Sequence, residues 1–326
     1  MKTRITEMFG IKYPVICGSM YLVGEPNLTA AISNAGGMGN LTAGNYKTAN
    51  ELRNAIRETK KLTDKPFLVG ITILPSFHIT TDDHRKNLEI CAEEKVGGIE
   101  VSGTPLDKVG KKYMDTLRKA GVKMFHKVGS VKHAQHAEEV GYDDIYAAGI
   151  EEGGHPLNDD VTTMVLTPKI AETVKIPVVA VGGIADGKSL AAALALGAEG
   201  VMMATRFMAT HECRVHDNIK QEILKRQEND TTLICKSINL QGRAIKNKIV
   251  GEILAAEAKG AGLTELAPLI TGNRCKDAWE TGDVDIAPMM MGQSMGRIHD
   301  IKSCAAVIED MVKQAKDEIS RVSKLF

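Results

Sequence analysis

Short runs of aliphatic and β-branched residues recur along most of the chain, each followed by a stretch whose apolar positions repeat at helical spacing. The runs predict strands at Pro14–Cys17, Gly39–Thr42, Phe67–Ile73, Gly98–Val101, Val122–Lys127, Asp144–Ala148, Ile176–Val181 and Gly200–Met203. The stretches between them predict helices at Leu28–Asn34, Ala49–Lys60, Arg85–Glu94, Leu106–Lys119, Val131–Val140, Leu166–Val174, Lys188–Leu196 and His216–Arg226. Several strands are continuous apolar runs rather than alternating ones, the pattern of parallel strands buried on both faces. Eight strand–helix units within about 220 residues fit a (β/α)8 barrel, the TIM-barrel arrangement; a doubly wound open sheet, the alternative, usually needs about five to seven strands. Glycines in AGVKM, VGYDDI and LGAEGV stand where a helix ends and a strand begins, so left-handed caps account for them without any function.

Beyond residue 228 the pattern changes. Helical periodicity covers Ile245–Lys259, Glu265–Thr271 and Cys304–Val322, with no convincing strand. The expected organisation is a barrel over residues 1–228 and a helical C-terminal region, residues 229–326, packed over the barrel mouth.

Composition narrows the functions. Across 326 residues, 41 Lys+Arg balance 41 Asp+Glu, so there is no basic surplus for nucleic acid or an anionic membrane. The longest apolar stretches, IPVVAVGG and LAAALALGAEGVMMA, are broken before the roughly 20 residues a membrane span needs. The opening MKTRITEMFG lacks the apolar core of an export signal. Six cysteines with no CxxC pair and no zinc-type spacing point to a reducing cytoplasm and to no metal centre.

Three constellations carry candidate chemistry. Gly182-Gly183-Ile184-Ala185-Asp186-Gly187-Lys188-Ser189 fits the phosphate-cradling pattern G-x4-G-K-[ST], following a strand and opening a helix. Against an ATP site, it sits on the seventh strand, and no later strand ends in an acidic residue to hold magnesium; the next ends in MATRF. In βα-barrels the loops after strands seven and eight often bind a monophosphate through N–H groups at a helix N-terminus. Gly182 and Gly183 would let the backbone approach, and Ala204-Thr205 would close the site. Plain turn chemistry is the third reading.

The second constellation is Gly149-Ile150-Glu151-Glu152-Gly153-Gly154-His155 at the end of strand six. It sets the His155 imidazole over the barrel mouth, where it can bond a ligand or move a proton near neutral pH; an exposed loop histidine is the bland alternative. His126 and Lys127 end strand five and are expected to point at the same face. There Lys127 would neutralise an anionic cofactor or else merely snorkel to solvent. The third comprises Cys17-Gly18-Ser19-Met20 and Gly36-Gly37-Met38-Gly39-Asn40, small residues against which a flat ring could lie. Late in the chain, Met289–Gly296 holds four of the 15 methionines and reads as a buried helix start or as a turn exposing backbone to a ring.

In fixed order along nearly the whole chain, TRITEMFGIKYPVICGSM, AISNAGGMG, LTDKPF, FHKVGSVKHA, GIEEGGH, IPVVAVGGIADGKSLAAALALGAEGVMMATRF and GDVDIAPMMMGQSMG resemble the FMN-dependent nitronate monooxygenase (2-nitropropane dioxygenase-like) family. That family also contains NADH:quinone reductases and flavin-dependent type II enoyl-acyl-carrier-protein reductases. The resemblance implies an FMN across the barrel mouth, its phosphate at Gly182, Gly183, Ala204 and Thr205 and its ring near Gly18, Ser19 and Met20. It brings Lys127, Gly154, Gly292 and Gln293 to the cofactor and makes His155 the residue for substrate contact or proton transfer. The chain also departs from the family. Cys17-Gly18-Ser19-Met20 replaces Gln-Gly-Gly-Met; Gly70 replaces a strand-three Asn, leaving Thr72 as the nearest polar group; Ala148 replaces an Asp of the quinone-reductase branch. Asn158–Thr163 combines an acidic pair like that of the quinone reductases with a Thr pair like that of the enoyl reductases.

By this resemblance the expected function is oxidation of alkyl nitronates with O2 through a flavin intermediate. The alternative uses NAD(P)H as co-substrate to reduce quinones or enoyl thioesters; with no separate Rossmann fingerprint, the nicotinamide would stack in the same cleft. A P-loop nucleotide-binding protein and a non-catalytic FMN carrier are more remote readings. The expected partner is a small-molecule substrate, and a homodimer is compatible with the sequence.

Overall fold

The computed structural model describes residues 1–74, 79–157 and 159–326. Eight parallel strands, β1 (Val15–Cys17), β2 (Gly39–Thr42), β3 (Phe67–Ile73), β4 (Gly98–Gly103), β5 (Lys123–Val128), β6 (Asp144–Ala148), β7 (Val178–Val181) and β8 (Gly200–Met203), run in the order β1-β8-β7-β6-β5-β4-β3-β2. Cys17 N donates to the Met38 carbonyl and Met38 N to the Val15 carbonyl, both at 2.9 Å, and an Ile16–Met38 bridge joins β1 to β2. The sheet thus closes on itself as a (β/α)8 barrel, which leaves no unpaired edge.

Helices α1 (Arg4–Phe9), α2 (Pro26–Asn34), α3 (Ala49–Leu62), α4 (Thr81–Glu93), α5 (Leu106–Lys119), α6 (Val131–Val140), α7 (Thr163–Ala171) and α8 (Gly187–Ala195) precede or alternate with the strands. After β8 come α9 (Thr205–Met208), α10 (Asp217–Lys225), α11 (Lys248–Glu257), α12 (Leu263–Leu266), α13 (Gly272–Thr281) and α14 (Cys304–Val322). Local chemistry sets several ends. The Thr80–Asp83 capping box starts α4 a turn earlier than the periodicity predicts, and Gly141, at φ 93°, caps α6 in the left-handed region before β6.

Strand residues alternate between an outer layer packed under the helices and an inner cluster inside the ring. The inner cluster contains Ile16, Leu68, Phe125, Tyr146, Val179 and Met202, joined from below by Ile5 and Ile11. Phe9 of α1 stacks on Phe125 at 5.2 Å between ring centres, and Phe125 meets Tyr146 at 5.1 Å. Arg4 anchors the plug: its Nε donates to Glu199 at 2.6 Å and its Nη1 to the Lys175 carbonyl at 2.5 Å, both ahead of strand starts. The N-terminal segment therefore closes the floor, and the C-terminal strand ends form the mouth.

The C-terminal region is not purely helical. β9 (Thr231–Ile234) and β10 (Gly242–Ile245) form an antiparallel hairpin, Gly242 opposite Ile234. Four-residue strands are too short to display alternation, which is why periodicity missed them. α11 lies against β9 through a satellite core of Ile249, Val250 and Ile253, and α14 packs on α8 and α2. No helix among the described residues is long and apolar enough to cross a membrane.

Candidate functional site at the barrel mouth

The Gly149–His155 loop leaves β6 and is fixed on three sides. On one side it pairs with the hairpin: Gly154 N donates to the Arg243 carbonyl at 3.2 Å, Arg243 N to the Gly154 carbonyl at 2.6 Å, and Arg243 Nε to the Ile150 carbonyl at 2.8 Å. On the second, Gln293 N donates to the Glu151 carbonyl at 3.0 Å, and Gly292 N to the Thr205 hydroxyl at 3.1 Å. A Cβ on Gly153 would stand 2.6 Å from Gly292 N, so only glycine allows this approach. The Met289–Gln293 stretch is thus a strap between the loops after β6 and β8, with Met289, Met291 and Met295 buried beneath it. On the third side, the Glu151 carboxylate receives Thr163 N at 3.0 Å, at the start of α7.

His155 opens to the cleft, with its Nδ1 3.0 Å from the Gln241 carbonyl in the hairpin. A carbonyl only accepts, so Nδ1 carries the proton and Nε2 keeps its lone pair. Crowding by surrounding atoms depresses the imidazole pKa, opposed in part by that bond and reinforced by the Lys127 charge. The ring is a neutral proton acceptor at neutral pH. Sequence reasoning found the histidine but not the carbonyl 86 residues away that orients it.

Lys127 points inward at the end of β5. Its Nζ bonds Glu152 Oε1 at 2.9 Å and the His155 carbonyl at 3.2 Å, clamping the loop from below. Its charge is thus paired within the protein by Glu152 and does not snorkel to solvent, the bland alternative offered by the sequence. Beside it on β4 lies Glu100, 3% exposed, accepting from Ser19 N at 3.2 Å and from the Asn40 amide. Burial pushes the Glu100 carboxyl up to about 7, against the pull of Lys127 and its hydrogen bonds. Burial likewise raises Glu152, with Lys127 offsetting part of the effect. Glu100 and Gln241 were not among the sequence candidates, Asn40 entered only as the end of a run of small residues, and Glu152 carried no role. The available signal was a lone acidic residue within the apolar strand GIEVSG.

His126 does not share the mouth with Lys127. Successive strand residues face opposite sides, and His126 points outward, stacked on Tyr142 at 4.9 Å with its Nδ1 3.1 Å from the Val101 carbonyl. Burial lowers its pKa to about 4.

Gly182 and Gly183 turn the chain after β7 with φ of 97° and 74°, a conformation that favours glycine. The side of Gly183 where a Cβ would stand meets only Glu151 Cβ, at 3.9 Å, and the amides of Gly183 and Ile184 donate to no other group among the described residues. The N-terminus of α8, by contrast, is filled from within. Asp186 and Ser189 form a capping box, Gly187 N donates to Gln314 at 3.1 Å, and Asp186 binds Arg297 Nε at 2.9 Å. Lys188 turns outward to Glu318. The resemblance to a P-loop is one of spelling, and the open amides lie in the Gly-Gly turn instead of at the helix.

Around the rim, Gly18 allows Met202 Sδ to lie 3.0 Å from where its Cβ would stand. Ser19 Oγ lies 3.1 Å from the Thr42 hydroxyl, which also accepts from Met20 N at 3.0 Å. Ser19 occupies the space a side chain on Gly70 would take, so the two departures from the family pattern compensate one another. Thr72 is exposed on β3. Ala204 and Thr205 follow β8 beside the strap. The open side of Gly183, its free amide, and Gly154, with nothing within 4 Å of a would-be Cβ, fit a ligand carrying an anionic group and a flat ring.

The family profile described as nitronate monooxygenase matches residues 2–314. The chain belongs to the nitronate monooxygenase family. With that family it is an enzyme, a flavin oxidoreductase acting on small molecules. Relatives within and around the family differ in name. The chain is 37% identical, over 78% of its length and 68% of the relative's, to (3aS,4S,5R,7aS)-5-hydroxy-7a-methyl-1-oxo-octahydro-1H-indene-4-carboxyl-CoA dehydrogenase of Rhodococcus jostii. It is 30% identical to a probable nitronate monooxygenase of Staphylococcus aureus, over 90% of this chain and 92% of that one. Among solved structures, FabK from Thermotoga maritima superposes with a TM-score of 0.91 at 34% identity, covering all of both chains. The nitroalkane oxidase of Streptomyces ansochromogenes, at 23% identity and a TM-score of 0.82 over 98% and 99% of the two chains, shares the fold.

Proposed function

We propose that the flavin is FMN, that its phosphate rests on the Gly182-Gly183 turn and Ala204-Thr205, and that the enzyme oxidises nitronates and their parent nitroalkanes with O2. The carrying observation is the His155 Nδ1–Gln241 bond, which leaves Nε2 free to accept a proton. The α-carbon of a nitroalkane is acidic, and a neutral imidazole at the cleft suits its deprotonation to the nitronate. The flavin supplies two-electron chemistry when bound. Lys127 fixes the carbonyl of His155 and Glu152, and the strap holds the loop that carries them. Gly18, Ser19, Met20, Thr72, Gly154, Gly292 and Gln293 are assigned to the rim around the ring. Six free thiols, five of them buried, support a reducing, cytoplasmic setting.

Anaerobic mixing with a preformed alkyl nitronate tests this reading: bleaching of the flavin band by the nitronate, but not by NADH or NADPH, is expected. Bleaching by a nicotinamide alone would overturn it in favour of a second reading, reduction of a thioester-linked substrate with NAD(P)H. That reading draws on the FabK superposition and the carboxyl-CoA relative. It would also need a proton donor other than His155.

A further inference from the structure

Building on the FMN reading, we propose that Glu100 takes up a proton from solvent when the bound flavin is reduced and releases it on reoxidation. Two buried carboxylates, Glu100 and Glu152, share one ammonium, that of Lys127. Glu152 holds the ammonium directly at 2.9 Å. Glu100 is left with neutral donors: Ser19 N at 3.2 Å, the Asn40 amide, and the Ser102 hydroxyl at 3.5 Å from its other oxygen. With both acids ionised, the cluster therefore carries one uncompensated negative charge out of water, an expensive arrangement.

The groups facing Glu100 come from every neighbouring element. They are Cys17 and Ser19 at the end of β1, Asn40 on β2, Lys127 on β5, Tyr146 on β6 and Glu152 in the following loop. Burial keeps the Cys17 thiol and the Tyr146 phenol protonated, so neither exchanges a proton in the neutral range. Glu100 does, its carboxyl lying at about 7 against an ordinary value of about 4.3. The backbone N–H it accepts belongs to Ser19, in the turn assigned to the flavin ring.

The balance closes. Two electrons and one proton arriving at the flavin add one negative charge above the cluster. A like charge nearby disfavours the ionised acid, so a second proton passes from solvent to the Glu100 carboxylate and makes it neutral. Oxidation of the cofactor by O2 or an organic acceptor returns that proton to solvent.

A redox titration of the flavin-loaded protein, followed by its absorbance at several pH values on the alkaline side of neutrality, reads this directly. One extra proton per two electrons steepens the fall of the midpoint potential by about 30 mV per pH unit. The wild type should show that extra slope and Glu100→Gln should lack it, with flavin still bound in both. Infrared difference spectra of the wild type should show a protonated-carboxyl band rising on reduction, absent in Glu100→Gln and kept in Glu152→Gln. That band remains readable in the wild type even if Glu100→Gln fails to load. Equal slopes in two flavin-loaded proteins, or no carboxyl band in the wild type, overturn the proposal alone. A protein that holds no flavin overturns the FMN reading together with it.

Discussion

The two ends of the barrel interior are built from one eight-stranded sheet and put to opposite uses. Toward the floor the inward layer is apolar, with Ile16, Leu68, Phe125 and Val179 sealed by Ile5 and Phe9. Two residues beyond Phe125 on β5 the inward position becomes Lys127, and Asn40 on β2 and Glu100 on β4 face the same mouth. The strands' period of two delivers both layers without any change of fold. Floor residues stabilise the barrel, and mouth residues, braced by loops and hairpin, are those we propose for the chemistry. One residue crosses the divide: Asp144, at the floor end of β6, is fully buried and neither carboxylate oxygen has a partner among the described residues.

Four substitutions sharpen or break this contrast. Gly183→Asp should abolish flavin binding, since it places a side chain and a charge in the one open direction of the turn, at a φ of 74° that resists any Cβ. The check is the flavin absorbance of the purified variant. His155→Ala should retain flavin and lose about 10²- to 10⁴-fold in turnover of a neutral nitroalkane. Steady-state rates with nitroalkane and preformed nitronate compare the two, and an unchanged nitroalkane rate removes His155 from proton transfer. In the wild type, the depressed imidazole pKa keeps the base active below the usual histidine range of about 6.5, so the acid limb of the nitroalkane profile should lie under that value.

At the floor, Phe125→Ala should cost about 3–5 kcal/mol in denaturant unfolding, because it empties the stack between Phe9 and Tyr146. Asp144→Asn should stabilise the protein by on the order of 1 kcal/mol at alkaline pH. Burial holds the Asp144 carboxyl well above its ordinary range, so the folded protein keeps a proton that the unfolded chain gives up near pH ~4. Wild-type stability therefore falls as pH rises between those two values, and the gap to Asp144→Asn should widen from pH ~5 to pH ~8. Thermal melts across that range measure it, and a gap that narrows would contradict the assignment.

The barrel was legible because its signals are local. β2, β3, β6 and β8 lie where their apolar runs place them, and α5, α6 and α14 match to the residue. The Gly182-Gly183 turn, proposed for the phosphate, and the loop carrying His155 were legible as structure through their glycines. What stayed hidden depends on contacts distant in sequence. Gln241 reaches His155 across 86 residues, the hairpin strands are too short to alternate, and the strap acts through backbone groups that any residue possesses. Glu100 was visible as a letter, but its burial beside Lys127 follows only from the register of β4 on β5. The expectation that His126 and Lys127 share a face failed on strand alternation alone.

The most direct test of the account is to denature the purified protein and identify and count what it releases. One FMN per chain, lost in Gly183→Asp, is the predicted result. A colourless protein that takes up no FMN, or one that binds ATP in its place, would contradict the assignment of the mouth as a flavin site.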